Sequence, residues 1–144
     1  MKLKDLFVAV IGTIGAYIAR LFGGWDAAMT TLVIFMGVDY LMGLIVAGVF
    51  KRSGKSENGA LDSRAGFKGL LKKSIILLIV LIAYRLDLVL GSAFIKDAVI
   101  IGYIANETIS IIENAGLMGI PIPDVIKRAI DILKNKSDGD INGG

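Results

Sequence analysis

The feature that most constrains this chain is Ala27–Phe50, AAMTTLVIFMGVDYLMGLIVAGVF, an almost wholly apolar run with one carboxylate, Asp39, near its middle. A hydrocarbon core about 30 Å thick is crossed by roughly 20 apolar residues in a helix, and this run supplies them. It therefore reads as a membrane span. A charge at mid-depth costs at least about 2.5–3.5 kcal/mol, so Asp39 is expected to face protein or water, or to hold a proton. Function is expected around it.

Composition agrees. Of the 144 residues, 55% are hydrophobic, too many for a soluble domain of this size to hide in one core, which implies an integral membrane protein. The chain has no cysteine and no histidine, which removes disulfides, thiolate or imidazole metal sites, Ser-His triads and cysteine nucleophiles. Only carboxylates remain for chemistry, and Asp39, Asp87 and Glu107 have no recognisable catalytic partner set. The expectation is a protein that is not an enzyme, with no cofactor, no metal, no nucleic acid and no small-molecule substrate.

Three further apolar segments flank this run. Residues 6–22 follow Lys2 and Lys4 and end beside Arg20 and Trp25, which suit the membrane interface as a snorkelling cation and a belt aromatic. The competing reading, a cleaved signal peptide, is disfavoured because Arg20 stands where small neutral residues are wanted. Residues 74–95 are apolar until Tyr84-Arg85-Leu86-Asp87. Residues 98–114 carry Tyr103, Asn106, Glu107, Ser110, Glu113 and Asn114 at three- and four-residue steps, a polar stripe on one helical face.

Between the second and third segments, residues 51–73 hold seven lysines and arginines against Glu57 and Asp62, so this loop is expected to be cytoplasmic. Its Gly54-Lys55-Ser56 lacks the glycine and preceding strand of a phosphate-binding loop. After Pro121 and Pro123, residues 124–136 form an amphipathic helix capped by Asp124, suited to the membrane surface or to another subunit. Residues 137–144 read as a disordered tail.

The expected fold is all-α, with about four transmembrane helices plus the C-terminal amphipathic helix, in a single membrane domain over 1–136. Basic residues at the N-terminus, in the 51–73 loop and after 124 place both termini in the cytoplasm. If 98–114 instead lies flat on the membrane there are three spans, and the C-terminal cations fall on the wrong side. Counting in from the cytoplasmic ends of their helices, Asp39 and Arg85 each lie eleven residues deep, about 16 Å. They are expected to pair, within one protomer or across an interface. Asp87 and Glu107 are left without evident cations.

The chain resembles the small phage-lysis and toxin-secretion holins of Gram-positive bacteria and their phages. The resemblance rests on Asp39-Tyr40-Leu41-Met42-Gly43, on Arg64-Ala65-Gly66-Phe67-Lys68-Gly69-Leu70-Leu71-Lys72-Lys73, on Asn106-Glu107-Thr108-Ile109-Ser110-Ile111-Ile112-Glu113-Asn114, and on Gly119-Ile120-Pro121-Ile122-Pro123. The family often has threonine where Met42 stands. The resemblance implies a protein that forms homo-oligomeric lesions in the bacterial cytoplasmic membrane, functionally linked to a peptidoglycan hydrolase (an endolysin) or to a toxin. On this reading Asn106, Glu107, Ser110 and Glu113 are candidate lining. A small ion channel or transporter subunit is the alternative, although no inverted repeat is evident.

Overall fold

The computed structural model describes residues 1–143, and these form five helices in chain order. They are α1 (Leu3–Leu21), α2 (Ala27–Ile45), α3 (Ser63–Leu90), α4 (Ile95–Leu117) and α5 (Asp124–Gly143). A π-helical turn, Val46–Phe50, continues α2 to the end of the apolar run, and Lys51 then stops it in the left-handed conformation. By length and composition, Ala27–Phe50 is long and apolar enough to cross a membrane. Charges interrupt the other helices, among them Lys4, Asp5 and Arg20 in α1, Lys73, Arg85 and Asp87 in α3, Lys96, Glu107 and Glu113 in α4, and Lys127, Arg128 and Asp131 in α5.

At the α4 centre of the bundle, the apolar stripe Ile100 and Ile104 meets Met29, Leu32 and Met36 of α2 and Val80 of α3. Each contribution follows helical spacing. Met29, Leu32, Met36 and Asp39 lie on one face of α2, and Lys73, Val80 and Asp87 recur at seven-residue steps on α3. By contrast, no α1 residue is buried among the described residues, and apolar side chains stand exposed on every side of it.

At one end of the bundle the two tight turns interlock. Asp26 caps α2 by accepting from the Met29 amide at 2.9 Å. Gly23, at φ 81°, lets the α1–α2 turn pass over the Tyr84 ring where any Cβ would collide. Lys96 donates its ammonium to the Phe22 carbonyl and lies 5.4 Å over the Tyr84 ring centre. Asp87 reaches across the α3–α4 turn and accepts from Ser92 Oγ (2.6 Å), Ile95 N (3.0 Å) and Lys96 N (2.9 Å). It thus serves as the remote N-cap of α4, a role that needs no buried cation.

Several expected boundaries move. Helix α3 begins at Ser63, not near Ser74, because Asp62 caps it by accepting from the Arg64 amide at 2.9 Å, so the second half of the basic loop is helical. It ends at Leu90, not 95, where Gly91 adopts a left-handed C-cap. Helix α4 extends beyond 98–114 at both ends. Asp124 is the first residue of α5, inside the helix and not its cap, with Lys127 4.0 Å away.

The largest correction concerns the C-terminus. Helix α5 runs through Gly143 instead of ending near Lys136, so residues 137–143 are not a disordered tail; Gly144 lies outside the described residues. The reason is tertiary: α5 folds back along α4, burying Ile130 and Ser137, whose hydroxyl donates to the Ala98 carbonyl at 2.9 Å. Gly102 permits this close approach.

Replacing Asp87 should expose the value of the cap. Asp87→Ala is expected to destabilise the detergent-solubilised protein by about 1–2 kcal/mol, the usual cost of losing an N-cap. Hydrogen exchange should accelerate at the Ile95 and Lys96 amides first. Unchanged thermal unfolding and exchange would show that the cap contributes nothing.

Candidate functional site

At the opposite end of the bundle, three helices are tied by charge. Lys73 of α3 directs its ammonium between two carboxylates, 2.9 Å from Asp39 Oδ2 on α2 and 2.8 Å from Glu107 Oε2 on α4. Asn114, two turns further along α4, donates its side-chain amide to Asp39 Oδ1 at 3.0 Å and to the Asp39 carbonyl at 3.3 Å. The side chains of Asp39, Lys73 and Glu107 are only 4%, 15% and 7% exposed, so the ion cluster is largely shielded from solvent. Among the described residues, no buried side-chain nitrogen or oxygen lacks a partner.

Local sequence explains how each group arrives there. Tyr40, next to Asp39, donates its hydroxyl to the Gly66 carbonyl at 3.2 Å, and its ring lies over Gly66 and Gly69. These glycines form a small-residue face one helical turn apart on α3, and Lys73 follows Gly69 by a further turn. A Cβ at Gly66 would lie 3.4 Å from the Tyr40 hydroxyl and one at Gly69 3.6 Å from its ring, so Tyr40 packs directly on this face and leaves room for little more than a methyl group. The loop over residues 51–62 folds across this corner, pinned by Ser53 N to Gly59 O at 3.0 Å and by Ser56 Oγ to Ala60 O at 2.8 Å. Beneath it lies a cavity of about 60 Å³ walled in part by Asp39, Tyr40, Lys73, Ser53 and Ala65, with room for a few waters.

The expected Asp39–Arg85 pair does not form; Lys73 takes the place of Arg85, which stands exposed on α3. The depth count began at Ser74, where the apolar sequence starts, whereas the helix starts at Ser63. Counted from Ser63, Lys73 lies ten residues in, level with Asp39 eleven residues before Phe50. Twelve residues separate Lys73 from Arg85, which turns Arg85 about 120° off the packed face.

The polar stripe of α4 also divides. Glu107 and Asn114 are buried in the ion cluster, and Ser110 between them is half-buried on the same face. Asn106 and Glu113 lie some 80–120° round the helix from them and are exposed, so they do not share a site with Glu107. Arg20 and Trp25 are exposed at the far end, where the Trp25 ring stands edge-on to Phe22 with centres 5.9 Å apart.

Sequence reasoning missed Lys73 as a site residue, and Lys96 at the other end; it placed Asn114 on the polar stripe without its partner Asp39. Lys73 was legible in one respect: it is the last cation before an uninterrupted apolar stretch, and it follows Gly66 and Gly69 at helical spacing. The site has no histidine or cysteine, and no cluster of metal-ligating residues occurs among the described residues. Its chemistry is electrostatic: it holds three helices in register through groups that are costly to separate.

Comparison with known proteins bears on these same segments. A sequence model of the bacteriophage holin family matches residues 16–135, which contain the whole ion cluster. An uncharacterised protein of Listeria monocytogenes, Lmo0128, is 43% identical over 127 residues, covering 88% of this chain and 85% of that protein. An uncharacterised 14.9 kDa protein of Clostridium perfringens is 38% identical over 128 residues, covering 88% of this chain and 91% of its own length. The probable holin of Bacillus phage phi105 is 30% identical over 102 residues, 70% of each chain. No solved structure matches.

Removing the shared cation should be far more damaging than removing the exposed one. Lys73→Met leaves two buried carboxylates uncompensated, a loss of about 3–5 kcal/mol, and is expected to lower the level of folded protein sharply. Arg85→Gln is expected to leave it near wild type. Quantitative immunoblots of membrane fractions, with thermal unfolding in detergent, make the comparison; equal effects would contradict the pairing.

Proposed function

Because the chain belongs to the bacteriophage holin family, we propose that it accumulates in the bacterial cytoplasmic membrane and assembles with further copies of itself into lesions. Through these a cell-wall hydrolase, or in some settings a toxin, leaves the cell. The role is non-enzymatic. The observation that carries this reading is the family match over most of the chain, and the structure adds a physical counterpart. Three of the segments that carry the resemblance meet at one buried ion cluster, Asp39–Lys73–Glu107, at one end of the bundle.

Such a cluster suits a protein that must be inert while dispersed and water-permeable when assembled. While Lys73 pairs with Asp39 and Glu107, these groups are held inside the bundle away from lipid, the arrangement that polar groups at membrane depth require. If neighbouring copies part α2, α3 and α4, the same groups turn toward a water-filled opening, where their solvation offsets the lost contacts. Glu107, Asn114 and Ser110 then line that opening from α4.

We place α1 to α4 across the bilayer, with the N-terminus and residues 51–62 cytoplasmic. Helix α5 exposes Lys127, Arg128, Asp131 and Lys134, a face too costly to hold beside α4 at mid-depth. We infer that in the membrane α5 gives up its packing on α4, with the Ser137–Ala98 contact, and swings about the Gly119–Pro123 turn onto the cytoplasmic surface, which also puts the C-terminus in the cytoplasm.

Inducible expression in a bacterium tests the reading. Membrane potential should collapse abruptly, together with escape of a co-expressed cytoplasmic hydrolase, and a reporter fused after Gly144 should report cytoplasm. A graded, ion-selective leak that retains the hydrolase would indicate a channel instead. A reporter active only outside would overturn the placement of α5.

A further inference from the structure

The first turns of α3 and the loop before them carry a surface that the ion cluster does not use. Within residues 64–75, Ala65, Gly66, Gly69 and Lys73 face inward, toward Tyr40 and the carboxylates. The opposite face interleaves cations with apolar side chains: Arg64, Lys68 and Lys72 alternate with Phe67, Leu71 and Ile75, all exposed. Phe67 is 64% exposed and Leu61, just before the helix, 61%.

Arg64 and Lys68 also border a cleft of about 430 Å³ between α3 and the loop, whose wall further includes Lys55, Ser56, Glu57 and Asp62. Both acids bear on its charge. The Asp62 carboxylate accepts from the Arg64 amide as the cap of α3, and with Glu57 it leaves the three cations in excess by one charge. The Ser56 hydroxyl donates to the Ala60 carbonyl and so helps to shape the rim.

We propose that this cleft and the adjoining face of α3 bind the headgroup of an anionic phospholipid. Its phosphate would sit among Lys55, Arg64 and Lys68, and its acyl chains would run along Phe67 and Leu71. Two features of the surface select this occupant. Cations grouped at a cleft match a phosphodiester, with the Arg64 guanidinium able to grip two of its oxygens. Apolar side chains on the same helical face, continuing into the apolar part of α3, match a ligand whose charged head ends in hydrocarbon. A soluble phosphate would use only the first of these. The site also lies on the helix that supplies Lys73, so an occupying lipid bears on the segment that positions the ion cluster.

The inference rests on the membrane placement above, and one experiment separates the two. Full-length protein carrying Phe67→Trp in a Trp25→Phe background is reconstituted in vesicles, and its fluorescence is quenched by brominated phosphatidylglycerol or, at the same mole fraction, by brominated phosphatidylcholine. The anionic lipid should quench several-fold more effectively, and the preference should fall with added salt. Arg64→Gln with Lys68→Gln should abolish the preference, bringing quenching by the two lipids close to equal, since each cation near an anionic surface contributes about fivefold. Lys127→Gln with Lys134→Gln should leave it unchanged. Equal quenching by the two lipids overturns the lipid site alone, and should the α3 variant fail to insert, this comparison on the charge-intact protein and its salt dependence still decide. No quenching by either lipid overturns the membrane placement and the site with it.

Discussion

One ammonium between two carboxylates is the interaction on which the rest of this structure depends. Lys73 meets Asp39 at 2.9 Å and Glu107 at 2.8 Å, and so joins the three helices that make up the core. In water the apolar contacts among Met29, Leu32, Met36, Val80, Ile100 and Ile104 would dominate, at about 1.5–3 kcal/mol for each large side chain buried. In a bilayer that driving force disappears, because lipid tails are as apolar as these side chains. What then fixes register is the set of groups that lipid cannot solvate. A slip of α2 against α3 by a single turn, about 5.4 Å, would strand Asp39 without its cation.

The neighbouring polar contacts gain their meaning from that constraint. Asn114 supplies the second donor to Asp39, so the carboxylate is satisfied from both α3 and α4. Tyr40 and the Gly66 and Gly69 face set the distance between α2 and α3 at which the Lys73 ammonium reaches both acids. At the other end, Asp87 and Lys96 bind turns instead of helices, capping α4 and holding the Phe22 carbonyl. The two polar knots brace opposite ends of the bundle. They leave α1 outside it, with its apolar side chains exposed.

Much of this was legible in the sequence. Residues 27–50 announce their helix by length and composition, and Asp39 stands out because a charge there demands an explanation. Glu107 was visible for the same reason. The pairing was not legible, because it depends on where α3 starts, and that is set by the Asp62 cap inside a segment whose charge disguises it as loop. Asn106 and Glu113 looked equivalent to Glu107, since the periodicity of a stripe about 120° wide does not say which half of it meets a neighbour. Ser137–Gly143 looked disordered from composition alone; the ordering contact, Ser137 to the Ala98 carbonyl, is a tertiary event 39 residues away in the chain.

The central claim, that Asp39 and Lys73 form a buried pair tying α2 to α3, is tested most directly by a double-mutant cycle. Asp39→Asn, Lys73→Met and the double variant would be compared with the parent protein by thermal unfolding in one detergent. The account predicts that the double variant is destabilised by at least about 1 kcal/mol less than the sum of the single variants, because Lys73→Met alone strands both carboxylates, whereas the double change leaves only Glu107 without a cation. Strictly additive losses would show that the two residues do not act on each other and would contradict the account.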